Sequence, residues 1–131
     1  MTEPRDASIS LPALAAETSP ERPWPVRHLS PKIGDYIAKL PAVWVEGQVL
    51  NVKRWKHMVF LTLRDTDENM SIRATVPASE VDALGTPFED GARVVIHAKP
   101  QWWLKSGDLQ LVGREVRTVG LGDLLARIEI L

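Results

Sequence analysis

A small closed β-barrel of five short strands, with one amphipathic helix in front of it, is the fold this sequence predicts. Three observations carry that expectation. Five segments rich in Val, Ile, Leu and Thr alternate apolar and polar residues with a period of two. Turn-forming residues separate them at short intervals, as in small barrels and sandwiches. The chain has 131 residues, enough for one domain with its own core and too few for two of ordinary size.

The elements follow in order. Residues 1–27 hold Pro4, Pro12, Pro20, Pro23 and Pro25 among Ala, Ser, Thr and Glu. Such a segment cannot bury enough surface to offset its ordering entropy, so a mostly disordered tail is expected, with Trp24 of "RPWPV" placed to pack onto the domain. In "HLSPKIGDYIAKL", Ser30 reads as an N-cap and Pro31 as the first helical residue, with Ile33, Ile37 and Leu40 on one face and Pro41 closing a helix of about two to three turns.

The strand segments are 42–52, 58–65, 70–77, 92–100 and 108–119. Between the third and fourth, "ASEVDALGTPFEDG" carries a brief helical signal and then a Gly/Pro loop. Three strands, a short helix or loop, then two strands is the order of an OB-fold barrel, here spanning 28–120. The closing "GLGDLLARIEIL" has an N-cap candidate at Asp123 and apolar residues at Leu124, Leu125, Ile128 and Leu131. Its pattern stops unfinished, so 121–131 is expected to begin a helix that leads to a catalytic domain outside this chain.

Apolar residues make up 44% and charged residues 25%, ordinary values for a globular domain. No apolar run approaches the roughly 18 to 20 residues of a membrane span, and the N-terminus lacks a basic start followed by an apolar core. The chain is therefore read as cytoplasmic, with no membrane partner. Cysteine is absent, which removes disulfides and thiolate metal sites. The net charge of −1 hides an uneven distribution. Between Gly47 and Arg64 stand Lys53, Arg54, Lys56 and Arg64 without one acid, while acids gather at Asp65, Asp67 and Glu68 and at Glu80, Asp82, Glu89 and Asp90. A polyanion meets the local field, so a basic stripe within a neutral total suits a phosphate-binding face.

In an OB barrel, one face of strands two and three and the loops joining strands one to two and four to five form the usual oligonucleotide site. With Val59, Leu61 and Leu63 pointing inward, Phe60, Thr62 and Arg64 point out; with Ile72, Ala74 and Val76 inward, Ser71, Arg73 and Thr75 point out. The first loop is expected to be Lys53, Arg54, Trp55, Lys56 and His57, and the second 101–107, with Trp102, Trp103 and Lys105 behind Lys99. Aromatic faces stack on any base while cations neutralise the backbone, so these residues are the expected single-strand contacts. For any one basic residue a solvated surface role fits equally well, and the expectation rests on the cluster. Trp102 or Trp103 can instead close the barrel end, and Trp44 is expected to pack on the N-terminal helix.

Catalytic groups are not assembled. His28, His57 and His97 fall on different elements, and "DTDE" at 65–68 lies where a hairpin turn is expected and lacks calcium-loop spacing. No catalytic residue, metal site or cofactor is expected in this domain.

With these elements placed, the chain from about Val26 onward resembles the N-terminal OB domain of the bacterial exodeoxyribonuclease VII large subunit. The resemblance lies in Val43, Trp44, Val45 and Gly47 after the helix, in Thr62, Leu63, Arg64 and Asp65 ending strand two, in Gly91 before strand four, and in Trp103, Gly107, Gln110 and Leu111. Two departures stand out: "WKHMVF" leaves Phe60 as the lone aromatic entering strand two, and Gln48 stands where Glu is usual. The resemblance implies a domain that positions single-stranded DNA for degradation to oligonucleotides by a nuclease core not present here, within an enzyme that also has a small subunit. It leaves open a divalent metal in the full-length nuclease. It also makes Trp103 the recurrent aromatic and Trp102 the better candidate for a lid. Rival readings are the anticodon-binding OB domain of a class II aminoacyl-tRNA synthetase, a protein-interaction module, and a self-contained nuclease using the acids at 65–68.

Overall fold

The computed structural model describes residues 10–120, and the helix expected over 121–131 lies outside the described residues. Five strands, β1 (Val43–Trp55), β2 (Met58–Arg64), β3 (Ser71–Pro77), β4 (Arg93–Trp103) and β5 (Asp108–Thr118), close in the order β1-β2-β3-β5-β4. All neighbours pair antiparallel except β3 and β5, which meet in parallel through Ala74↔Leu111 and Thr75↔Val112. This is a five-stranded OB-type barrel, with a helix α1 (Val26–Ala38) before it and a short helix α2 (Ala78–Asp82) between β3 and β4.

The expected alternation holds side chain by side chain. Val59, Leu61, Leu63, Ala74 and Val76 are buried with Val49, Val94, Ile96, Leu111 and Val116, while Phe60, Arg64, Ser71 and Arg73 are exposed. Ala78 of α2 joins this core, and Val81, Leu84 and Phe88 pack against it.

Three local expectations are corrected. The helix begins at Val26 with Pro25 as its N-cap, so Ser30 and Pro31 lie inside it. Ser30 is drawn inward instead: its hydroxyl donates to the Leu104 carbonyl at 2.8 Å and accepts from the Trp102 indole N–H at 3.0 Å. That pair of bonds satisfies two polar groups that the packing of α1 on β4 would otherwise strand. The strands also run further than expected. Lys53, Arg54 and Trp55 pair with Phe60, Val59 and Met58, and Gln101, Trp102 and Trp103 pair with Gln110, Leu109 and Asp108. The two loops therefore shrink to turns at 56–57 and 104–107, with Lys56 in the left-handed region at φ 55° and Gly107 at φ 69°. Finally, Trp44 stacks on His97 with ring centroids 4.8 Å apart and lies under the Arg117 guanidinium, on the outer face of β1, β4 and β5.

From Ser10 onward, the segment ahead of α1 takes a defined course. A single 3-10 turn spans Ala15–Glu17, and the Trp24 indole N–H donates to the Pro12 carbonyl at 2.8 Å.

The acids at 65–68 form a turn held by one of their own side chains. The Asp65 carboxylate accepts the backbone N–H groups of Asp67 and Glu68 at 2.9 and 2.8 Å. These two bonds hold the Asp65 carboxyl below its ordinary range. A carboxyl depressed in the folded state stabilises above its unfolded value and loses that contribution as pH falls through the folded one. The difference in urea midpoint between the wild type and Asp65→Ala should thus be present at neutral pH and vanish in acid; a difference constant with pH would refute this role.

Candidate nucleic-acid interface

A cleft of about 670 Å³ opens across the outer surface where β2 and β3 face the β4–β5 hairpin. Phe60, Arg73 and Thr75 line one side, and Gln101, Trp103 and Gln110 the other. Strand alternation explains the selection: Phe60 and Thr75 are cross-strand partners, as are Gln101 and Gln110, so each pair shares a face. Phe60 and Trp103 are 37% and 47% exposed, large apolar rings presented to solvent at the walls of a concave site. Such rings suit base stacking, because every base offers a π-face.

The basic residues divide into free and engaged. Lys53 shares the outer face with its partner Phe60, Arg64 ends β2, and Lys105 lies in the turn beside Ser106, a cleft-lining residue. None of these three cations has an ion-pair partner among the described residues. Arg73 reaches across the cleft to the Asp108 carboxylate at 2.8 Å. Both groups of that pair remain largely solvated, so it adds little stability and leaves the guanidinium open to exchange for a phosphate. Lys56 sits 4.3 Å from the centroid of Trp55, whose ring is 64% exposed at the tip of the β1–β2 hairpin. His57, the other turn residue, uses its carbonyl to accept the Ala78 N–H at the start of α2.

Three of the residues expected at the interface are held elsewhere. Arg54 points toward α2 and makes two bonds to Asp82, at 2.8 and 2.7 Å. Those bonds hold the Asp82 carboxyl below its ordinary range. Lys99 donates to the carbonyls of Ala38 and Leu40, where its charge complements the C-terminal end of α1. Trp102 is half-buried and bonded to Ser30. Adjacent tryptophans on one strand point to opposite sides, so Trp103 reaches the cleft while Trp102 fastens α1.

Gln101 and Ser106 fall in the groove-side segment 101–107 expected from the sequence without being named as contacts, and Met58, Gln110 and Val112 were missed in the lining. The same alternation that selected Phe60 and Arg73 selects Met58, Gln101, Gln110 and Val112, once β4 is continued to Trp103, while Ser106 lies in the turn that follows. Among the described residues no cluster of His, Asp or Glu could hold a metal ion, and no helix is long and apolar enough to cross a membrane.

Comparison with known proteins agrees with this geometry. The chain is 45% identical over 118 residues to the exodeoxyribonuclease 7 large subunit of Streptomyces coelicolor, covering 88% of this chain and 29% of that protein. The proteins of the same name from Corynebacterium glutamicum and Thermobifida fusca are 41% and 42% identical, with 88% of this chain covered in each case and 28% and 29% of theirs. The chain thus spans under a third of the length of the relatives it matches. A family model described as an OB-fold nucleic acid binding domain matches residues 24–117, which run from Trp24 ahead of α1 almost to the end of β5. Barrel order, an open cleft on β2 and β3 and a family match over the same span converge: this chain belongs to the OB-fold nucleic acid binding domains.

Proposed function

We propose that the chain is the single-stranded DNA-binding module of an exodeoxyribonuclease large subunit. It holds DNA with little sequence preference and delivers it to a nuclease core in the remainder of such a subunit, which works in the cytoplasm with a small subunit. One observation carries the reading: Phe60, Arg73 and Trp103 line one cleft, with Lys53 paired to Phe60 across β1 and β2 and Lys105 in the turn next to the lining residue Ser106. Stacking supplies affinity for any base and the cations neutralise the backbone. The names of the relatives supply the choice of DNA and of the parent activity. Within this reading the chain alone binds and does not cut.

Trp55, Lys56 and His57 extend the platform at the β1–β2 tip. Arg54, Lys99 and Trp102 are withdrawn from it by the partners named above.

The test is tryptophan fluorescence during titration with oligo-dT at several salt concentrations. Four phosphate contacts give a log-log slope near −3 for a single strand, at about 0.7 per phosphate. Flat fluorescence, or an affinity indifferent to salt, refutes the reading. Tighter binding of a structured RNA loop than of DNA of matched length would favour an anticodon-type domain instead.

A further inference from the structure

A second cleft, of about 560 Å³, lies on the far side of the β4–β5 hairpin, between that hairpin and α1. Pro31, Gly34 and Ala38 form its helix wall, and Pro100, Trp102 and Leu104 its strand wall. Gln101 and Val112 line both this cleft and the groove described above, so the two adjoin at the β4–β5 hairpin.

We infer that this second cleft is a further subsite for the same single strand, taking a nucleotide next to those held at Phe60 and Trp103. The inference rests on the proposed function and extends it. Three observations support it. The lining repeats the chemistry of the groove: apolar and aromatic surface, with one guanidinium at the rim. That guanidinium belongs to Arg114, an exposed residue with no ion-pair partner among the described residues. The charges also give the subsite a direction. Asp35 lines the helix side and repels a phosphate, so the backbone of the strand must follow the β5 rim at Arg114.

The walls of the cleft are held in place. A Cβ on Gly34 would meet Leu104 Cδ2 at 3.3 Å and Trp102 Cδ1 at 3.4 Å, so glycine lets the helix rest directly on the strand wall. Lys99, tied to the carbonyls of Ala38 and Leu40, fixes the C-terminal end of α1 over the cleft. Ser30 fixes Trp102 and the Leu104 carbonyl. A cleft whose walls are fastened by hydrogen bonds offers a ligand a surface that costs little further ordering.

Because Trp102 lines the second cleft and Trp103 the first, the two indole N–H groups report on the two sites separately. The experiment follows both resonances by NMR in the full 131-residue chain during titration with oligo-dT of about five and about fifteen nucleotides, lengths within the usual OB range. The short oligomer should move Trp103 alone, and the long one both. Arg114→Glu should weaken the long oligomer about 10-fold, as for loss of a charged hydrogen bond, and lower its salt slope by about 0.7. It should leave the short oligomer unchanged, and Arg114→Lys should restore most of the loss.

A Trp102 resonance unmoved by a saturating long oligomer overturns the inference. So does an Arg114→Glu variant that binds both lengths as the wild type does. If Trp102 shifts with protein concentration and no DNA, a second copy of the chain occupies the cleft and the inference also falls. Failure of the underlying reading looks different, because the short oligomer would then not bind at all.

Discussion

Trp103→Ala is expected to weaken oligo-dT binding by about 1–3 kcal/mol and to leave the melting temperature nearly unchanged. Its neighbour behaves in the opposite way. Trp103 stands 47% exposed at a cleft wall, so removing it deletes a stacking surface and little of the core. Trp102 is half-buried, donates to Ser30 and packs near Gly34 of α1. Trp102→Ala should therefore cost about 2–3 kcal/mol of stability, below the range for fully buried tryptophans, with affinity for a short oligomer retained by the folded fraction. Urea denaturation and fluorescence titration of the two variants side by side decide the matter. Equal losses of affinity in both would show that side-chain alternation does not separate their roles.

A second large effect is expected at Gly113. A Cβ built there would stand 2.6 Å from the Thr75 carbonyl oxygen, 2.6 Å from Val76 Cγ1 and 3.0 Å from Ile96 Cγ2. A backbone oxygen and two core side chains cannot all move aside cheaply. Gly113→Ala should destabilise the domain by about 2–3 kcal/mol through overpacking, a fall in melting temperature of roughly 10 °C or more. Gly113 pairs with Ala98 of β4 and directly follows Leu111 and Val112, which pair with β3 on one side and β4 on the other, so the damage falls on barrel closure. Hydrogen exchange should accelerate first at Ala74, Thr75 and Val112. A variant as stable as the wild type would mean that the seam has slack the geometry does not show.

The barrel was legible because each strand had one face to bury. The alternation of Val59, Leu61 and Leu63 with Phe60, Thr62 and Arg64 leaves a single orientation that hides the apolar set, and the structure adopts it. Turn lengths were less legible, since the β1–β2 turn uses Lys56 at positive φ in place of the glycine or asparagine that usually marks such a bend. The start of α1 was hidden for a different reason. Ser30 before Pro31 has the local chemistry of a helix start, and only the arrival of Trp102 and the Leu104 carbonyl, more than 70 positions away, gives the Ser30 hydroxyl another use.

Among the candidate interface residues, exposure and face were readable from alternation, which is why Phe60, Arg73 and Trp103 meet at one cleft. Partnership was not. Arg54 and Lys99 look like any other cation in the sequence, and only the fold brings Asp82 to one and the end of α1 to the other.

The parallel seam between β3 and β5 bears on how the molecule assembles. β1, β2 and β3 join through near neighbours in the chain, as do β4 and β5, whereas Ala74 and Leu111 must find each other across α2 and the whole of β4. β1 and β4 close a longer stretch, Val43 to Ala98, but through six paired positions against two here, so the β3–β5 seam should be the first to part. The cleft straddles it, with Phe60, Arg73 and Thr75 on one side and Gln101, Trp103 and Gln110 on the other. A nucleic-acid strand bound there would act as a clasp, holding shut the joint with the fewest paired positions.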